Sequence, residues 1–399
     1  MRKLFLSAAA LMCGAVMIAQ GNVSTVDQIG NGNMSDVDQV GMTNLADTNQ
    51  NGNLNDSSID QNGIDNQYQT TQNGNRNTST VMQDGERNIG GPGIYGFHGT
   101  LQIGNDNVSS TTSIGDDNET GTLSQGNRNT ATIAQDGNRN DANFNTSYGW
   151  GIQQVGNDNT SSLTQIGDDN TGTIEVWGNG NNSDENQDGT YNDVNVYQLG
   201  NNNDSFGSQL GDLNDSDVYQ QGNGNGSSVV QGSGFASAYE SISTVDQIGN
   251  LNNSTVFQYG FRNMSDVDQT GNRNNSFVVQ GPQEYNNSFV NQLGDRNDSY
   301  VDQYGDYNDS DVDQIGNDNT STVYQGDYPG LTGSYNMSDV DQDGNGNGSI
   351  VLQTGEYQKS TVFQDGNLNM SDVMQSGNNH TSTVNQIGNG NGSTVTQSN

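Results

Sequence analysis

One short repeat governs almost the whole chain. Residues 24–34 read Ser-Thr-Val-Asp-Gln-Ile-Gly-Asn-Gly-Asn-Met, and residues 35–45 repeat the same pattern of eleven positions. Close copies return at residues 243–253, 265–275, 310–320, 338–348 and 382–392. Numbered from the serine, the template has Ser at position one, Val or Ile at three, Gln at five, Gly at seven and Asn at ten. A fixed period this short predicts stacked, near-identical units instead of a globular core.

Each unit is predicted to form one short strand and one tight corner. Positions one to five alternate between a Ser-Val-Gln side and a variable side, which is the period-two pattern of a β-strand. Gly and Asn dominate the later positions, and both residue types accept the positive φ angles of tight turns. A helix is disfavoured, because Gly and Asn recur too often for one.

A single strand cannot bury its Ser-Val-Gln side, but strands stacked about 4.8 Å apart can. Every Gln would then lie over another Gln and every Asn over another Asn, so that their amides hydrogen-bond along the stack. We therefore predict a ladder core of template residues, represented by Ser24, Val26, Gln28, Gly30, Asn33, Gln39, Asn44, Gln247, Asn252, Gln269, Asn274, Gln314, Gln342, Gln364, Gln386 and Asn391.

Insertions interrupt the repeat near residues 90–97, 142–149, 238–242 and 326–336, and one extra residue occurs near Pro282. Counted from Ser24, every interruption follows an even-numbered unit. If two units make one coil, all insertions leave from the same edge, where one coil steps to the next. The prediction is an all-β, two-sided β-solenoid over residues 22–399, with about 22 residues per coil.

Residues 1–21 are a predicted secretory signal peptide, in which Arg2 and Lys3 precede an apolar run. The run is too short and wrongly flanked for a membrane-spanning helix, so no span is expected after its removal. Cleavage also removes Cys13, the one cysteine, and leaves a chain that needs no disulfide. No enzyme is expected, because the two histidines, His98 and His380, do not form a catalytic set with the repeated Ser and Asp.

The net charge limits the kinds of molecule that the chain can bind. A formal net charge of −37, with 10 basic residues against 47 acidic ones, makes nucleic acid an unsuitable partner. Hydrophobic residues make up only 28% of the chain, a share typical of disordered proteins. The repeat overrides that expectation, because regular stacking satisfies polar groups that a globular core could not.

The two outer faces of the predicted coil differ from about Ser216 onward. Position four of the odd units is mainly acidic and includes Asp246, Asp268, Asp313 and Asp341. Position four of the even units is mainly apolar and includes Phe257, Val279, Tyr324, Leu352 and Met374.

Each face has two interpretations. Stacked carboxylates repel unless a cation intervenes, so the acidic face is either a calcium site or a solvated face that limits aggregation. The apolar column is either a lateral contact surface or a set of residues that simply suit strands. No cofactor other than calcium is expected.

Residues 265–274, Ser-Asp-Val-Asp-Gln-Thr-Gly-Asn-Arg-Asn, resemble the repeats of the curlin family, especially those of the curli nucleator subunit. The similarity covers nearly all of the chain after the signal peptide. It implies a secreted subunit of the amyloid fibres of bacterial biofilms, working in cell adhesion and the biofilm matrix. It also implies export through the periplasm and a curli-type secretion channel of the outer membrane, with a nucleator as partner and an extracellular, cell-surface location.

Two features depart from that family. The chain carries many more coils than a curli subunit, and it lacks the Gly-rich segment that follows the signal peptide in major subunits. The second departure leaves the export route open.

Two functional hypotheses follow from the residues. In the first, the chain is a fibre subunit whose open strand edges template the next copy by β-augmentation. In the second, it is a non-polymerising acidic solenoid outside the cell that binds calcium or a surface as an adhesin.

Overall fold

The computed structural model describes residues 21–399, apart from 91, 94–95, 98, 143–150, 234–235 and 327–332, and it describes 92–93 and 96–97 by their backbone only. The predicted signal peptide therefore lies outside the described residues, except for Gly21. The described chain is all-β, with parallel strands stacked as about 16 turns of a two-sheet β-solenoid, which confirms the predicted fold class. The described residues include no helix long and apolar enough to cross a membrane. The chain divides into two compact units, Met1–Glu175 and Val176–Asn399.

The first unit contains β1 to β17 and most of β18. Their bounds are β1 (Val23–Ile29), β2 (Met34–Met42), β3 (Leu45–Asn53), β4 (Asp56–Ile64), β5 (Gln67–Asn75), β6 (Thr78–Glu86), β7 (Ile89–Gly90), β8 (Pro92–Gly93), β9 (Gly96–Phe97), β10 (Thr100–Asn105), β11 (Val108–Ile114), β12 (Glu119–Thr120), β13 (Thr122–Gln125), β14 (Thr130–Asp136), β15 (Asp141–Ala142), β16 (Ile152–Val155), β17 (Thr160–Ile166) and β18 (Thr171–Trp177).

The second unit contains the remaining strands. Their bounds are β19 (Asn182–Asp188), β20 (Asp193–Asn201), β21 (Asp204–Asp212), β22 (Asp215–Asn223), β23 (Gly226–Gln231), β24 (Ala238–Tyr239), β25 (Ile242–Asn250), β26 (Asn253–Gln258), β27 (Gly260–Phe261), β28 (Met264–Asn272), β29 (Asn275–Gln280), β30 (Asn287–Asp295), β31 (Asp298–Gln303), β32 (Asp309–Asn317), β33 (Thr320–Gln325), β34 (Met337–Asn345), β35 (Gly348–Glu356), β36 (Lys359–Asp365), β37 (Met370–Asn378), β38 (Thr381–Ile387) and β39 (Gly392–Ser398).

Within each unit, odd repeats form a first sheet and even repeats form a second sheet. Strands one coil apart pair in parallel, and equal template positions face each other. In the first unit Gln28 pairs with Gln50, and in the second Gln247 pairs with Gln269, both at an offset of 22 residues. A coil is therefore one first-sheet strand, a corner, one second-sheet strand and a second corner.

The core lies between the two sheets and is thin. In β25 the residues Ser243, Val245 and Gln247 are buried, while Thr244 and Asp246 point outward, as strand alternation requires. Position three supplies most of its apolar part, and Val267 and Val278 have no exposed surface. The remaining core is amide and hydroxyl, so the stack depends on hydrogen bonding more than an ordinary sandwich does.

The first two insertions split first-sheet strands. Gly90 and Ala142 both align with Thr120 at position one, and Thr100 and Ile152 both align with Thr122 at position three. The inserted segments therefore leave directly after position one. Most of their residues lie outside the described part of the chain.

Two predicted boundaries were wrong. Ala238 pairs with Gly211 and Ile242 with Asp215, so residues 238–242 are a regular corner and the extra residues precede Ala238. Ala238 stands where the template has Gly, which hid that corner in the sequence. Residues 335 and 336 also belong to a regular corner, because Asn336 N donates to Asn308 Oδ1 at 3.0 Å. The insertion predicted at 326–336 therefore ends before them.

The five interruptions lie at, or one residue beyond, one kind of corner. Three fall at the corner that leads from a second-sheet strand to the next first-sheet strand, and the other two begin one residue beyond that corner. The register thus places three interruptions where one coil steps to the next and two just inside the following first-sheet strand.

Candidate functional site

The position-five glutamines form amide ladders through the core, which are unbroken in the second unit and interrupted by Ser113 and Ser124 in the first. Gln247 Nε2 donates to Gln269 Oε1 at 2.9 Å, and Gln269 Nε2 donates to Gln292 Oε1 at 2.8 Å. The second amide hydrogen crosses the core, so that Gln247 also donates to the Gly226 carbonyl at 2.8 Å. Each glutamine therefore links successive coils and also links the two sheets.

The same ladder runs through the other glutamines predicted for the core. Gln314, Gln342 and Gln364 each donate to the glutamine one coil later at 2.8–2.9 Å, and the last acceptor is Gln386. In the first unit Gln39 donates to Gln61 Oε1 at 2.8 Å.

The position-ten asparagines form a second ladder at the corners. Asn274 N donates to Asn252 Oδ1 at 3.0 Å, and Asn274 Nδ2 donates to the Gly294 carbonyl at 2.8 Å. The first bond points back one coil and the second points forward one coil. Asn44 makes both bonds, Asn33 makes the forward one, and Asn391 makes the backward one, in which Asn391 N donates to Asn369 Oδ1 at 3.0 Å.

Position seven requires glycine for two reasons. Gly271 has a φ of +125°, which L side chains rarely adopt. A Cβ there would also lie 1.9 Å from the carbonyl oxygen of Gly294 in the next coil. Gly30 is in the same situation, 1.7 Å from the Gly52 carbonyl oxygen. Corners without an insertion therefore stack only when this position has no side chain, and the two side chains found there, Ala238 and Gln283, belong to interrupted corners.

The predicted core residues of the first coil are exposed. Val26 is 47% exposed, and Ser24 and Gln28 are exposed too, because among the described residues this coil has a neighbour on one side only. Gln28 still points along the ladder and donates to Gln50 Oε1 at 2.7 Å. The orientation of these side chains follows the template, and their exposure reflects their place in the stack.

The acidic column of the second unit is broken into two pairs. Asp246 lies next to Asp268, and Asp313 next to Asp341, but Asn291 separates the pairs and donates to Asp313 Oδ1 at 3.0 Å. Burial, followed by repulsion from neighbouring carboxylates, raises the pKa of Asp246 and of Asp341. Burial alone raises the pKa of Asp268. In the described residues no group of three or more acidic, His or Cys side chains is arranged to hold a metal ion.

The apolar column lies on the second sheet of the second unit. Phe257 pairs with Val279, and Tyr324 with Leu352 and then Met374 one coil further on. Asp302 interrupts the column between Val279 and Tyr324. Tyr324 and Met374 are about two-fifths exposed, at 39% and 41%, and the other three are half-buried.

Position nine, which the template leaves variable, was missed as a functional position. Every non-glycine residue with positive φ among those described occupies it, with φ between 51° and 62°. All seven arginines after Arg2 occupy it as well. Their side chains stack one coil apart, as in Arg76, whose Nε and Nη2 donate to the two carboxylate oxygens of Asp106 at 2.6 and 2.7 Å. The confinement of arginine to one template position was the available signal.

Parallel two-sheet coils, buried amide ladders and glycine corners define a β-solenoid repeat protein. The family model described as Curlin associated repeat matches residues 126–167, 189–222, 244–271, 286–316 and 294–326. The matched segments therefore carry curlin-associated repeats, as the sequence predicts, and these repeats and the fold fit a structural subunit of the curli type. No curated protein matches the chain.

Proposed function

We propose that this protein is a secreted structural subunit that assembles end to end, by β-augmentation, into curli-like fibres for cell adhesion and the biofilm matrix. The observation that carries the proposal is the direction of the two ladders. Glutamine amides donate toward the C-terminal neighbour, whereas asparagine backbone amides donate toward the N-terminal neighbour. A leading coil and a trailing coil are therefore complementary in both ladders.

The first and last coils of the structure illustrate this complementarity. Gln364 donates both to Gln386 Oε1 and to the Gly348 carbonyl, whereas Gln386 itself donates only to the Met370 carbonyl among the described residues. At the other end, Gln28 donates to Gln50 but receives no bond from a described glutamine. Continuing the ladder with a second copy would place Gln386 against Gln28.

Charge also favours this head-to-tail contact. Continued in register, the ladder would set Asp27 against Asn385, Asp36 against Thr394 and Asp38 against Thr396. Aspartates would then meet neutral polar side chains, with no carboxylate facing another across the junction. Like charges directly opposite each other in paired strands are destabilising, so their absence supports association of copies.

The experiment compares fibre growth of the purified chain with a junction variant, Asn385→Asp/Thr394→Asp/Thr396→Asp. The wild type should bind thioflavin, give a diffraction spacing near 4.8 Å and elongate from seeds. The junction variant should elongate slowly at low salt and recover at high salt, because screening weakens repulsion. Thr244→Asp/Thr255→Asp/Thr322→Asp adds the same charge within the stack and serves as the control. A wild type that stays soluble and never seeds fibres would remove the proposal.

Export through the periplasm and a curli-type secretion channel, with a nucleator as partner, completes the proposal and rests on the family alone. We also propose that the protein has a structural role and is not an enzyme. Expression in cells with and without such a channel, followed by electron microscopy of secreted material, would test the route.

A second candidate is an acidic extracellular solenoid that binds calcium or a surface without polymerising. The paired columns Asp246–Asp268 and Asp313–Asp341 favour it, because a divalent cation would relieve their mutual repulsion. Calorimetry with calcium distinguishes the candidates. Heat of binding from a chain that stays monomeric supports the adhesin, whereas the absence of heat contradicts calcium binding.

A further inference from the structure

We propose that position-nine side chains clamp each interrupted coil to a neighbouring coil, so that insertions are carried without breaking the stack. A corner clamp is defined here as an ion pair or ring contact between position-nine residues one coil apart. The inference concerns the folded chain itself and does not depend on fibre formation.

An insertion weakens the coil that carries it. Unbroken first-sheet strands such as β3 and β5 have nine residues, whereas the coil at Gly90 has two in β7 and six in β10. The coil at Ala142 has two in β15 and four in β16. Each split removes ladder hydrogen bonds and adds the entropy of closing a loop. Such coils need a contact that the regular repeat does not supply.

In the first unit, both split coils are clamped at both corners. Asp106 and Asp117 belong to the coil that is split after Gly90, and they accept paired bonds from Arg76 and Arg87 at 2.6–2.8 Å.

The coil split after Ala142 repeats the arrangement. Its Asp158 and Asp169 accept paired bonds from Arg128 and Arg139 at 2.6–2.7 Å. Bidentate arginine–carboxylate pairs fix the relative orientation of the two groups as well as their distance, so they oppose sliding of one coil over the next.

In the second unit, the three interrupted corners carry one ion pair and several ring contacts. Glu240 follows the first interruption and accepts a hydrogen bond from Arg262 Nε. Tyr285 follows Pro282, and its ring centroid lies 5.4 Å from Cζ of Arg262. On its other side, the Tyr285 ring stacks on the Tyr307 ring with 4.8 Å between the centroids. Tyr335 follows residues 327–332 and stacks on Tyr307 and Tyr357, both at 4.9 Å.

Many corners beside unbroken strands carry residues that cannot form such contacts, including Gly180, Asn202, Gly224, Leu251, Gly346 and Leu368. The pair Arg296–Asp318 has the clamp geometry, at 2.6 Å, but joins coils whose strands β30 and β32 are both nine residues long. It is therefore a matched control: the same bond, between two corners and two first-sheet strands that no insertion interrupts.

The test is hydrogen–deuterium exchange of the full folded chain, read by peptide. Arg76→Gln/Arg87→Gln should speed exchange in β10 and β11 by about two- to thirtyfold, because each exposed ion pair contributes modestly and two are lost. Arg296→Gln should leave exchange in β30 and β32 near the wild-type rate. Equal effects in the two variants, or no effect in the first, would overturn the proposal.

A salt series on the unaltered chain provides an answer that does not depend on how the variants fold. Sodium chloride at about 1 M screens ion pairs but not ring stacks. Exchange in β10 and β16 should rise with salt, whereas exchange beside Tyr335, in β33 and β34, should not. A uniform response along the chain would contradict the clamp model.

Discussion

Glu185 and Gly207 occupy position three in neighbouring coils of the second unit, where every other repeat of that unit has valine. A Cβ on Gly207 would lie 1.8 Å from Glu185 Oε2, so the glycine leaves the space that the longer side chain fills. Ser183 and Ser205 donate to Glu185 Oε1 at 3.1 and 2.9 Å, while Oε2 has no hydrogen-bond partner among the described residues. The glycine at position 207 therefore makes room for the glutamate at position 185, and each residue depends on the other.

We expect Glu185→Val/Gly207→Val to stabilise the chain, because it restores the apolar ladder and removes an unpaired buried oxygen. The increase in the free energy of unfolding should be about 2 kcal/mol. Gly207→Val alone should destabilise by at least as much, since its side chain would overlap the carboxyl group. Thermal and urea unfolding of the wild type, the double variant and both single variants, Glu185→Val and Gly207→Val, checks this, and additive single effects would contradict the coupling.

Glu185 should also make stability depend on pH. Burial raises the pKa of Glu185 to about 8, above its ordinary value, so the folded chain holds a proton that the unfolded chain releases. Stability from this group is present at low pH and is lost as pH rises from about 4 to about 8. Glu185→Gln should remove that part of the pH dependence of the melting temperature. If the plots of melting temperature against pH stay parallel for the variant and the wild type, Glu185 is not both buried and neutral.

Gly271→Ala should be among the most damaging small substitutions. The added Cβ would meet the backbone carbonyl of Gly294, which cannot move without breaking the corner, and the expected loss is about 4 kcal/mol. Gly346→Ala is the control, because its φ is +65° and its Cβ would meet only the flexible end of Leu368 at 3.0 Å. That change should lose about 1 kcal/mol. Similar losses at both positions would mean that strain, and not corner stacking, fixes glycine at position seven.

The ladder could be predicted because glutamine recurs at one template position in nearly every unit, with Ser113 and Ser124 as exceptions in the first unit. Gln247 and Gln269 have the same type at the same template position, so their stacking followed from the period alone. The corner at Ala238 could not be found in this way, because Ala replaces the Gly that marks it. Its identity depends on pairing with Gly211, a contact one coil away.

Position nine was hidden for a related reason. Read along the chain, its residues vary, and read down one edge they alternate, as in Arg76, Asp106, Arg128 and Asp158. Insertions change the spacing between partners from 22 to 30 residues, so no fixed offset exposes the pairs. Only an alignment of coils, with the insertions removed, brings the complementary charges together.

Ser265→Ala should stabilise the chain slightly. Ser265 Oγ is buried and has no hydrogen-bond partner among the described residues, so removal of the hydroxyl should add about 1 kcal/mol. Ser205→Ala is the matched control, because its Oγ donates to Glu185 and its loss should destabilise by a similar amount. Chemical denaturation with unchanged m-values would measure both, and a destabilised Ser265→Ala would indicate that a buried water satisfies the hydroxyl.

The acidic face of the second unit should make the chain more stable in mild acid. Burial, and then the carboxylates of Asp313 and Asp339, raise the pKa of Asp311 to about 6. A carboxyl whose folded pKa exceeds its unfolded value of about 4 favours folding when protonated, so its contribution is lost as pH rises from about 4 to about 6. Asp311→Asn should therefore raise the melting temperature at pH 7.5 and leave it nearly unchanged at pH 4.

Asp372→Asn provides the comparison for that effect. Asp372 also points outward, but its neighbours in the column are Ile350 and Thr394, so no carboxylate lies directly beside it one coil away. Its replacement should change the melting temperature little at either pH. If both variants gain equally at pH 7.5, the gain comes from lower net charge in general, because long-range repulsion in a chain of net charge −37 would respond to any lost carboxylate. A gain confined to Asp311 locates the repulsion in the stacked column.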